Sequence, residues 1–175
     1  MKEEQVILVN SKDQKIGLMN KMEAHEKALL HRAFSVFIFN DKDELMLQQR
    51  AAQKYHSPLL WANTCCSHQR DGESSLAAGK RRLQEEMGFS CDIEESFTFI
   101  YKAAFDNGLT EHELDHVLIG RYNEEPTINP EEVATHKWMS LEDVKNDIKD
   151  TPEIYTEWFK IIFKEFYQHI KQEGN

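Results

Sequence analysis

The sequence predicts an α+β fold in which a mixed β-sheet has helices packed on it, and three observations lead to this class. Segments rich in aromatic and β-branched residues, such as FSVFIF at 34–39, are typical of strands. Two other segments, at 73–87 and near the C-terminus, keep the apolar spacing of helices. The 175 residues contain no repeat and no linker rich in proline and glycine. We therefore predict one domain spanning residues 1–175.

The predicted strands follow from the apolar segments and the polar turns between them. The polar turn at 40–44 predicts a hairpin between 34–39 and 45–50. Residues 61–68 are expected to be extended but irregular around their polar positions. The remaining predicted strands are 5–10, 97–103, 114–122 and 136–139.

Start and stop signals define three helices. We predict a helix over Glu73–Met87, with Leu76, Leu83 and Met87 on one side and Gly88 as its C-terminal stop. Ser140 is expected to cap a short helix. The segment Thr151–Glu153, with its central proline, is predicted to begin the long last helix.

The charge of the chain limits its partners. It has 21 basic and 31 acidic side chains, a formal net charge of −10. Nucleic acid is not expected as a partner, because binding its phosphates requires clustered lysine and arginine. An anionic substrate would need basic residues or a metal ion to reverse the local field. The sequence contains neither a membrane-spanning stretch nor a secretory signal, so we expect a cytoplasmic protein.

The cysteines and a nearby histidine form the first candidate site. An odd count of three cysteines in such a chain fits free thiols better than disulfides. In an extended segment Cys66 and His68 would share one face, and Cys65 would point to the other. A thiol and an imidazole on one face suit metal binding or proton transfer. We interpret Cys65 as a small buried residue, and for Cys66 the motif leaves burial and chemistry open.

Histidines and carboxylates elsewhere form a candidate metal-binding set. In an extended chain Glu111 and Glu113 would lie side by side, although a solvated acidic edge has the same pattern. His25 and His31 flank a helix-like stretch, and each alone could be a surface histidine. Together with His68 they make a mixed nitrogen and oxygen set, which suits Mn²⁺, Zn²⁺ or Fe²⁺ better than Mg²⁺.

Arg82 and Glu86 lie four residues apart and so neighbour each other on the 73–87 helix. One interpretation is a surface salt bridge. The other is an arginine that binds a diphosphate beside a glutamate that binds the accompanying Mg²⁺.

The segment from Ser67 to Phe89 resembles the Nudix box. Ser67 stands where the motif has glycine, and Arg82 stands where it has the glutamate of its Arg-Glu pair. The positions that keep the motif's register are Glu73, Arg81, Leu83, Glu85, Glu86 and Gly88. Loss of that glutamate removes a metal-binding carboxylate of Nudix hydrolases and adds a positive charge. Diphosphate binding is therefore favoured over hydrolysis.

Nearly the whole chain is similar to the type 1 isopentenyl-diphosphate isomerases of the Nudix superfamily. The similarity includes Lys21-x-x-x-His25, Arg50-x-x-x-Lys54, Trp61-x-Asn63-Thr64-x-Cys66-x-His68, Arg81-Arg82 through Glu86, Tyr101, Glu111-x-Glu113 and the Trp158 helix. The resemblance implies a Nudix-like sheet sandwiched by helices. It also implies a small isoprenoid diphosphate as the substrate, whose double bond moves by protonation and deprotonation through a carbocation-like intermediate.

The resemblance also implies a role for each matching residue. Cys66 and Glu113 would be the catalytic pair, with Tyr101 and Trp158 as active-site aromatics. The implied ligands of Mn²⁺ or Zn²⁺ are His25, His31, His68, Glu111 and Glu113. Mg²⁺ would be held by Glu86 and the backbone carbonyl of Cys66. The implied diphosphate-binding residues are Lys21, Arg50, Lys54 and Arg82.

Two alternatives stay open. A Nudix diphosphohydrolase is the nearer one, and Arg82 argues against it. A non-catalytic metal- or redox-sensing protein would use the cysteines and histidines but would leave the basic residues unexplained. The sequence does not decide between a monomer and a dimer.

Overall fold

The computed structural model describes residues 4–174, and nine strands and four α-helices lie in that range. The strands are β1 (Gln5–Val9), β2 (Lys15–Asn20), β3 (His31–Phe39), β4 (Glu44–Arg50), β5 (Trp61–Ala62), β6 (Cys65–Ser67), β7 (Ile93–Ala104), β8 (Thr110–Arg121) and β9 (Val133–Ser140). The helices are α1 (Lys21–Glu26), α2 (Ser75–Met87), α3 (Leu141–Asp150) and α4 (Glu157–Gly174), with a 3₁₀ turn at Pro152–Ile154.

A mixed sheet lies between helices, which confirms the predicted fold class. β3 runs parallel to β8 along its whole length, and β8 pairs antiparallel with β7. The α2-side core is formed by Phe34, Val36, Ile38, Met46, Ala78, Leu83, Met87 and Leu118, with their neighbours. The α4-side core is formed by Phe37, Phe39, Leu45, Val117, Leu141, Val144, Phe159 and Ile162, with theirs. Alternate residues of β3 therefore enter opposite cores, as the period of a strand requires.

The described part of the chain has no helix that is both long and apolar enough to cross a membrane.

The predicted hairpin has the right turn, but its strands separate. β3 and β4 pair only at Phe39 and Leu45, and β6 pairs with β3 further along. Thr64 fills the gap between them: its hydroxyl accepts from the amide of Ile38 at 3.0 Å and donates to the carbonyl of Met46 at 2.6 Å. Backbone groups that a hairpin would pair are thus satisfied by a side chain. This insertion brings β6 into the sheet.

Helix α2 begins two residues later than predicted and ends at the predicted stop. The Ser74 side chain accepts from the amide of Ala77 as the N-terminal cap, and Gly88 has φ +73° at the C-terminal cap. Leu83 and Met87 are buried, whereas Leu76, which was predicted to share their side, is 38% exposed. The sheet is covered instead by the smaller Ala78 and Gly79, which allow a close approach of the helix.

The predicted start of the last helix was wrong. Pro152–Ile154 forms a separate 3₁₀ turn, and α4 begins only at Glu157. Between them Tyr155 bridges Trp61 in the manner of a strand, and the amide of Thr156 donates to the Trp61 carbonyl at 2.9 Å. Tertiary pairing with β5 therefore overrides the local helix signal. The predicted cap of the preceding helix is confirmed, since the Ser140 hydroxyl accepts from the amide of Asp143.

The chain around the first two histidines also differs from the prediction. His25 lies inside α1 and His31 is the first residue of β3, so the two residues do not flank a helix. β2 pairs antiparallel with β1, which places Asn20 as the cap of α1. β2 itself was not predicted. The other strands lie where they were predicted, with β7, β8 and β9 longer than expected.

Candidate active site and metal centre

One cavity gathers the residues that the sequence singled out. It is lined by residues of the sheet, of α2 and α4, and of the 51–60 loop. Predicted site residues that line it are Lys21, Arg50, Lys54, Cys66, His68, Arg82, Glu86, Tyr101, Glu111, Glu113 and Trp158. His25 and His31 lie beside it, within the histidine cluster described next. Residues separated by more than a hundred positions thus meet in one place.

Three histidines and a carboxylate form a cluster able to hold a metal ion. Ligand atoms of His25, His31, His68 and Glu113 all lie within 4.8 Å of one another. The Nδ1 atoms of His25 and His31 face the backbone carbonyls of Lys21 and Leu29 at 2.6 and 2.9 Å. Such contacts hold the proton on Nδ1 and leave the Nε2 lone pair as a ligand. The Nε2 atoms of all three histidines are buried without a hydrogen-bond partner among the described residues, so this set fits a metal ion.

The cluster is electrostatically coupled. Burial lowers the pKa of His25 to about 4, which keeps this ring neutral. Burial alone would raise the pKa of Glu113, but the neighbouring His31 and His68, whose Nε2 atoms lie 3.6 and 3.5 Å from its Oε1, outweigh it and hold that pKa well below its usual range. Glu113 is therefore a carboxylate, as a metal ligand must be.

Glu111 lies outside this cluster, although it is on the same face of β8 as Glu113. Its Oε1 is 3.1 Å from Nε2 of His56, and its Oε2 accepts a hydrogen bond of 2.6 Å from the Tyr101 hydroxyl. Tyr101 is paired in register with Glu113, but its hydroxyl donates to Glu111. A second group of candidate metal ligands results, formed by His25, His56 and Glu111.

The sequence analysis missed His56. It stands in an irregular loop, where a lone histidine carries no signal of its own. Its position two residues after Lys54 was the only available indication.

Cys66 is held at the cavity wall by a polar chain. Its thiol donates to Oδ1 of Asn63 at 3.1 Å and lies 3.5 Å from the Ser35 hydroxyl, which donates to Asp115 at 2.6 Å. Burial and the charge of Asp115 raise the pKa of the thiol, so Cys66 carries its proton at neutral pH. The predicted split is confirmed: Cys66 shares the cavity with His68, and Cys65 faces the α2-side core.

Ser35 and Asp115 were also missed. Asp115 continues the alternation of Glu111 and Glu113 on one face of β8, so the pattern E-x-E-x-D contained the signal.

The four predicted basic residues line the same cavity and form what we call its basic wall, and carboxylates neutralise three of them. Lys21 bonds Glu4 at 2.8 Å, and Lys54 bonds Glu132 at 2.6 Å. Arg82 lies 3.4 Å from Glu132 and 3.5 Å from Glu86. Glu132 thus joins two of the basic side chains.

The remaining basic residue, Arg50, lies against an aromatic wall. Its guanidinium is 5.1 Å from the ring centroid of Trp158, which is only 4% exposed. This is the geometry of a cation–π contact. The Trp158 ring therefore already presents its face to a positive charge.

Glu86 lies at the base of the basic wall with Cys65 behind it. The Cys65 thiol donates to Oε2 of Glu86 at 2.7 Å, and both side chains are buried. Burial raises the pKa of Glu86, which Arg82 partly offsets. The other oxygen of Glu86 faces Arg82 and the cavity.

Comparisons with known proteins identify the family of the chain. The NUDIX domain family matches residues 29–159. A Photorhabdus laumondii protein named isopentenyl-diphosphate Delta-isomerase 2 is 48% identical, covering 97% of this chain and 97% of its own. A protein of the same name from Aromatoleum aromaticum is 49% identical, covering 89% of this chain and 82% of its own.

Solved structures support the fold alone. A crystal structure of a Deinococcus radiodurans protein superimposes with a TM-score of 0.72 at 18% identity, covering 92% of this chain and 98% of that one. A MutT protein from Methanosarcina mazei superimposes with a TM-score of 0.66 at 17% identity, covering 79% and 94%. The family match covers most of the chain, and the named relatives are nearly half identical along it. The chain therefore belongs to the Nudix family and, within it, to the isopentenyl-diphosphate Delta-isomerases.

Proposed function

We propose that this chain interconverts isopentenyl diphosphate and dimethylallyl diphosphate in isoprenoid biosynthesis in the cytoplasm. The observation that carries the proposal is the shared cavity of a protonated thiol, Cys66, and a charged carboxylate, Glu113. Moving a double bond requires one group to give a proton to the alkene and another to remove a proton elsewhere. These two side chains are the proposed pair.

The cation formed on the way needs stabilisation without water. Trp158 is buried, and its ring already lies against the guanidinium of Arg50. A desolvated aromatic face stabilises a cation by about 2 kcal/mol or more. We assign Trp158 this role. Tyr101 has the role of holding Glu111 through its hydroxyl.

The diphosphate would be bound by Lys21, Arg50, Lys54 and Arg82. Glu4 and Glu132 neutralise three of these side chains. A bound diphosphate would replace those partners and receive charge-assisted hydrogen bonds in return. This local basic wall allows a chain of net charge −10 to accept an anion.

Two kinds of divalent ion are proposed. His25, His31, His68, Glu111 and Glu113 would hold Mn²⁺ or Zn²⁺, which suit mixed nitrogen and oxygen ligands. Glu86 and the Cys66 carbonyl would hold Mg²⁺ that accompanies the diphosphate. When bound, these ions supply positive charge that tunes the acidity of the Glu113 carboxyl and neutralises the phosphates.

The test is incubation of the purified protein with isopentenyl diphosphate, Mg²⁺ and Mn²⁺, followed by chromatography of the product. We expect dimethylallyl diphosphate from the wild type. Cys66→Ala and Glu113→Gln should each lose nearly all turnover, since each removes one proton-transfer group. Cys91→Ala and Glu94→Gln, which lie outside the cavity, are the matched controls and should keep it.

The same samples separate the alternatives. Release of phosphate from candidate diphosphates without formation of the allylic product would identify a hydrolase instead. Full isomerisation by Cys66→Ala with loss of a thiol-dependent response would identify a redox sensor.

A further inference from the structure

His56 is a buried imidazole in the loop between β4 and β5, and the rings around it fix its orientation. It is 5% exposed. It stacks on Phe105 with the ring centroids 4.7 Å apart and the planes 8° apart, and it meets Trp158 edge-on at 5.6 Å. This packing directs Nε2 toward Oε1 of Glu111, 3.1 Å away.

The donors around His56 suit a metal ion. Ligand atoms of His25, His56 and Glu111 lie within 4.8 Å of one another. Nδ1 of His25 is taken by the carbonyl of Lys21, and Nδ1 of His56 lies 3.3 Å from the Ser57 hydroxyl. For His25 the Nε2 lone pair is therefore available to a metal. Nε2 of His56 donates to Oε1 of Glu111, so a metal ion bound between these two atoms would replace the proton that they share. Nε2 of His25 is buried with no hydrogen-bond partner in the described chain.

We infer that His56 is a metal ligand, and that together with His25 and Glu111 it contacts the same ion that the four-residue cluster would hold. His56 lies outside the ligand set that the family resemblance implies. Two imidazole nitrogens and one carboxylate suit Zn²⁺, Co²⁺ or Mn²⁺ rather than Mg²⁺. The inference rests on the metal centre of the proposed function and adds a ligand to it.

The two groups of donors share one atom. Both include Nε2 of His25, because its other ring nitrogen is taken by a backbone carbonyl. The chain should therefore bind one ion of this class at that atom, with His56 contributing to its affinity.

Metal titration tests the inference in solution. Co²⁺ is added to the metal-free protein, and its visible absorption spectrum is followed. In His56→Gln the side-chain amide can still donate to Glu111, but it is a poor metal ligand. If His56 only positioned Glu111, this variant would bind Co²⁺ as well as the wild type does. We expect the Co²⁺ affinity of His56→Gln to be lower than that of the wild type by about 10-fold or more, and its absorption spectrum to differ. His136→Gln, which changes a histidine of β9 bonded to Glu125, is the control and should match the wild type.

Crystals grown with Zn²⁺ give the direct answer. Anomalous diffraction at the zinc edge should place the ion about 2.0–2.1 Å from Nε2 of His56. The inference would be overturned if the ion were bound by His25, His31 and His68 while Nε2 of His56 kept its contact with Glu111. Wild-type Co²⁺ affinity and spectrum in His56→Gln would overturn it as well.

Two checks keep these results interpretable. Far-UV circular dichroism establishes that His56→Gln is folded, and His56→Phe, which keeps the stack on Phe105, should bind Co²⁺ as weakly as His56→Gln. Binding is measured without isopentenyl diphosphate. A protein that binds Co²⁺ through His56 but forms no allylic product would overturn the proposed function and leave this inference standing.

Discussion

The adjacent cysteines of β6 differ in accessibility and in environment. Cys66 reaches the cavity, while Cys65 is fully buried and donates to Glu86. Because a strand alternates its side chains, one peptide bond separates a candidate proton donor from a core residue. Burial and the nearby charge of Glu86 raise the pKa of Cys65 well above its ordinary range.

Cys65 should consequently resist alkylation in the folded protein. The thiolate is the reactive form, and Cys65 has neither access to solvent nor a thiolate at pH 8. Cys91 is partly exposed and should be modified first by iodoacetamide. Peptide mass spectrometry after timed quenching measures both residues. In denaturant the two rates should converge, and equal rates in the native protein would contradict the assigned burial.

At the scale of elements, the start of α2 depends on an ion pair rather than on its cap alone. Glu73 precedes the helix and accepts hydrogen bonds from Nε and an Nη of Arg81 at 2.8 and 2.9 Å. It also accepts from the amide of Arg70 at 3.0 Å. These contacts fold the 70–73 turn back onto the helix, next to His68.

The pair should make the stability of the protein depend on pH. Hydrogen bonds from Arg81 lower the pKa of Glu73 from its ordinary 4.5. A carboxyl with a lowered folded-state pKa stabilises the fold above its unfolded pKa, and this contribution is lost as pH falls through the folded pKa. Glu73→Gln should cost about 1 kcal/mol at pH 7, after allowance for solvent screening.

Urea unfolding at pH 7 and at acid pH measures the effect. The difference between Glu73→Gln and the wild type should shrink once the pH falls below the folded pKa. Glu153→Gln, at an exposed carboxylate, should show no such change between the two conditions. A constant difference at both pH values would mean that the lost energy is not the charged pair.

Most of the fold could be predicted because its signals are local. The Gly88 stop and the Ser140 cap act within one turn of their helices. The start of α4 could not be predicted, because Tyr155 pairs with a strand almost a hundred residues earlier. The place of His56 in the site has the same cause, since its ring is oriented by distant aromatic residues.

For the whole molecule, the central strands connect the two cores. β3 sends Phe34 and Val36 to the α2-side core and Phe37 to the α4-side core, and β8 contributes Leu118 and Val117 in the same way. Because the same strands supply side chains to both cores, loss of packing in one core displaces strands on which the other core depends. The site lies at the end of this shared layer, so its geometry depends on both cores.

Unfolding should therefore be a single transition, as expected for one domain. Phe159→Ala, in the α4-side core, should lower the free energy of unfolding by about 3–5 kcal/mol, and Leu83→Ala, in the α2-side core, by about 2–5 kcal/mol. Tryptophan fluorescence and far-UV circular dichroism, followed in urea, should give coincident midpoints for each variant. The exposed Lys164→Ala should leave the midpoint in place. A shared sheet cannot unfold on one face alone. If Phe159→Ala shifted the fluorescence transition but not the circular dichroism transition, the two cores would be separate cooperative units and the single transition would be contradicted.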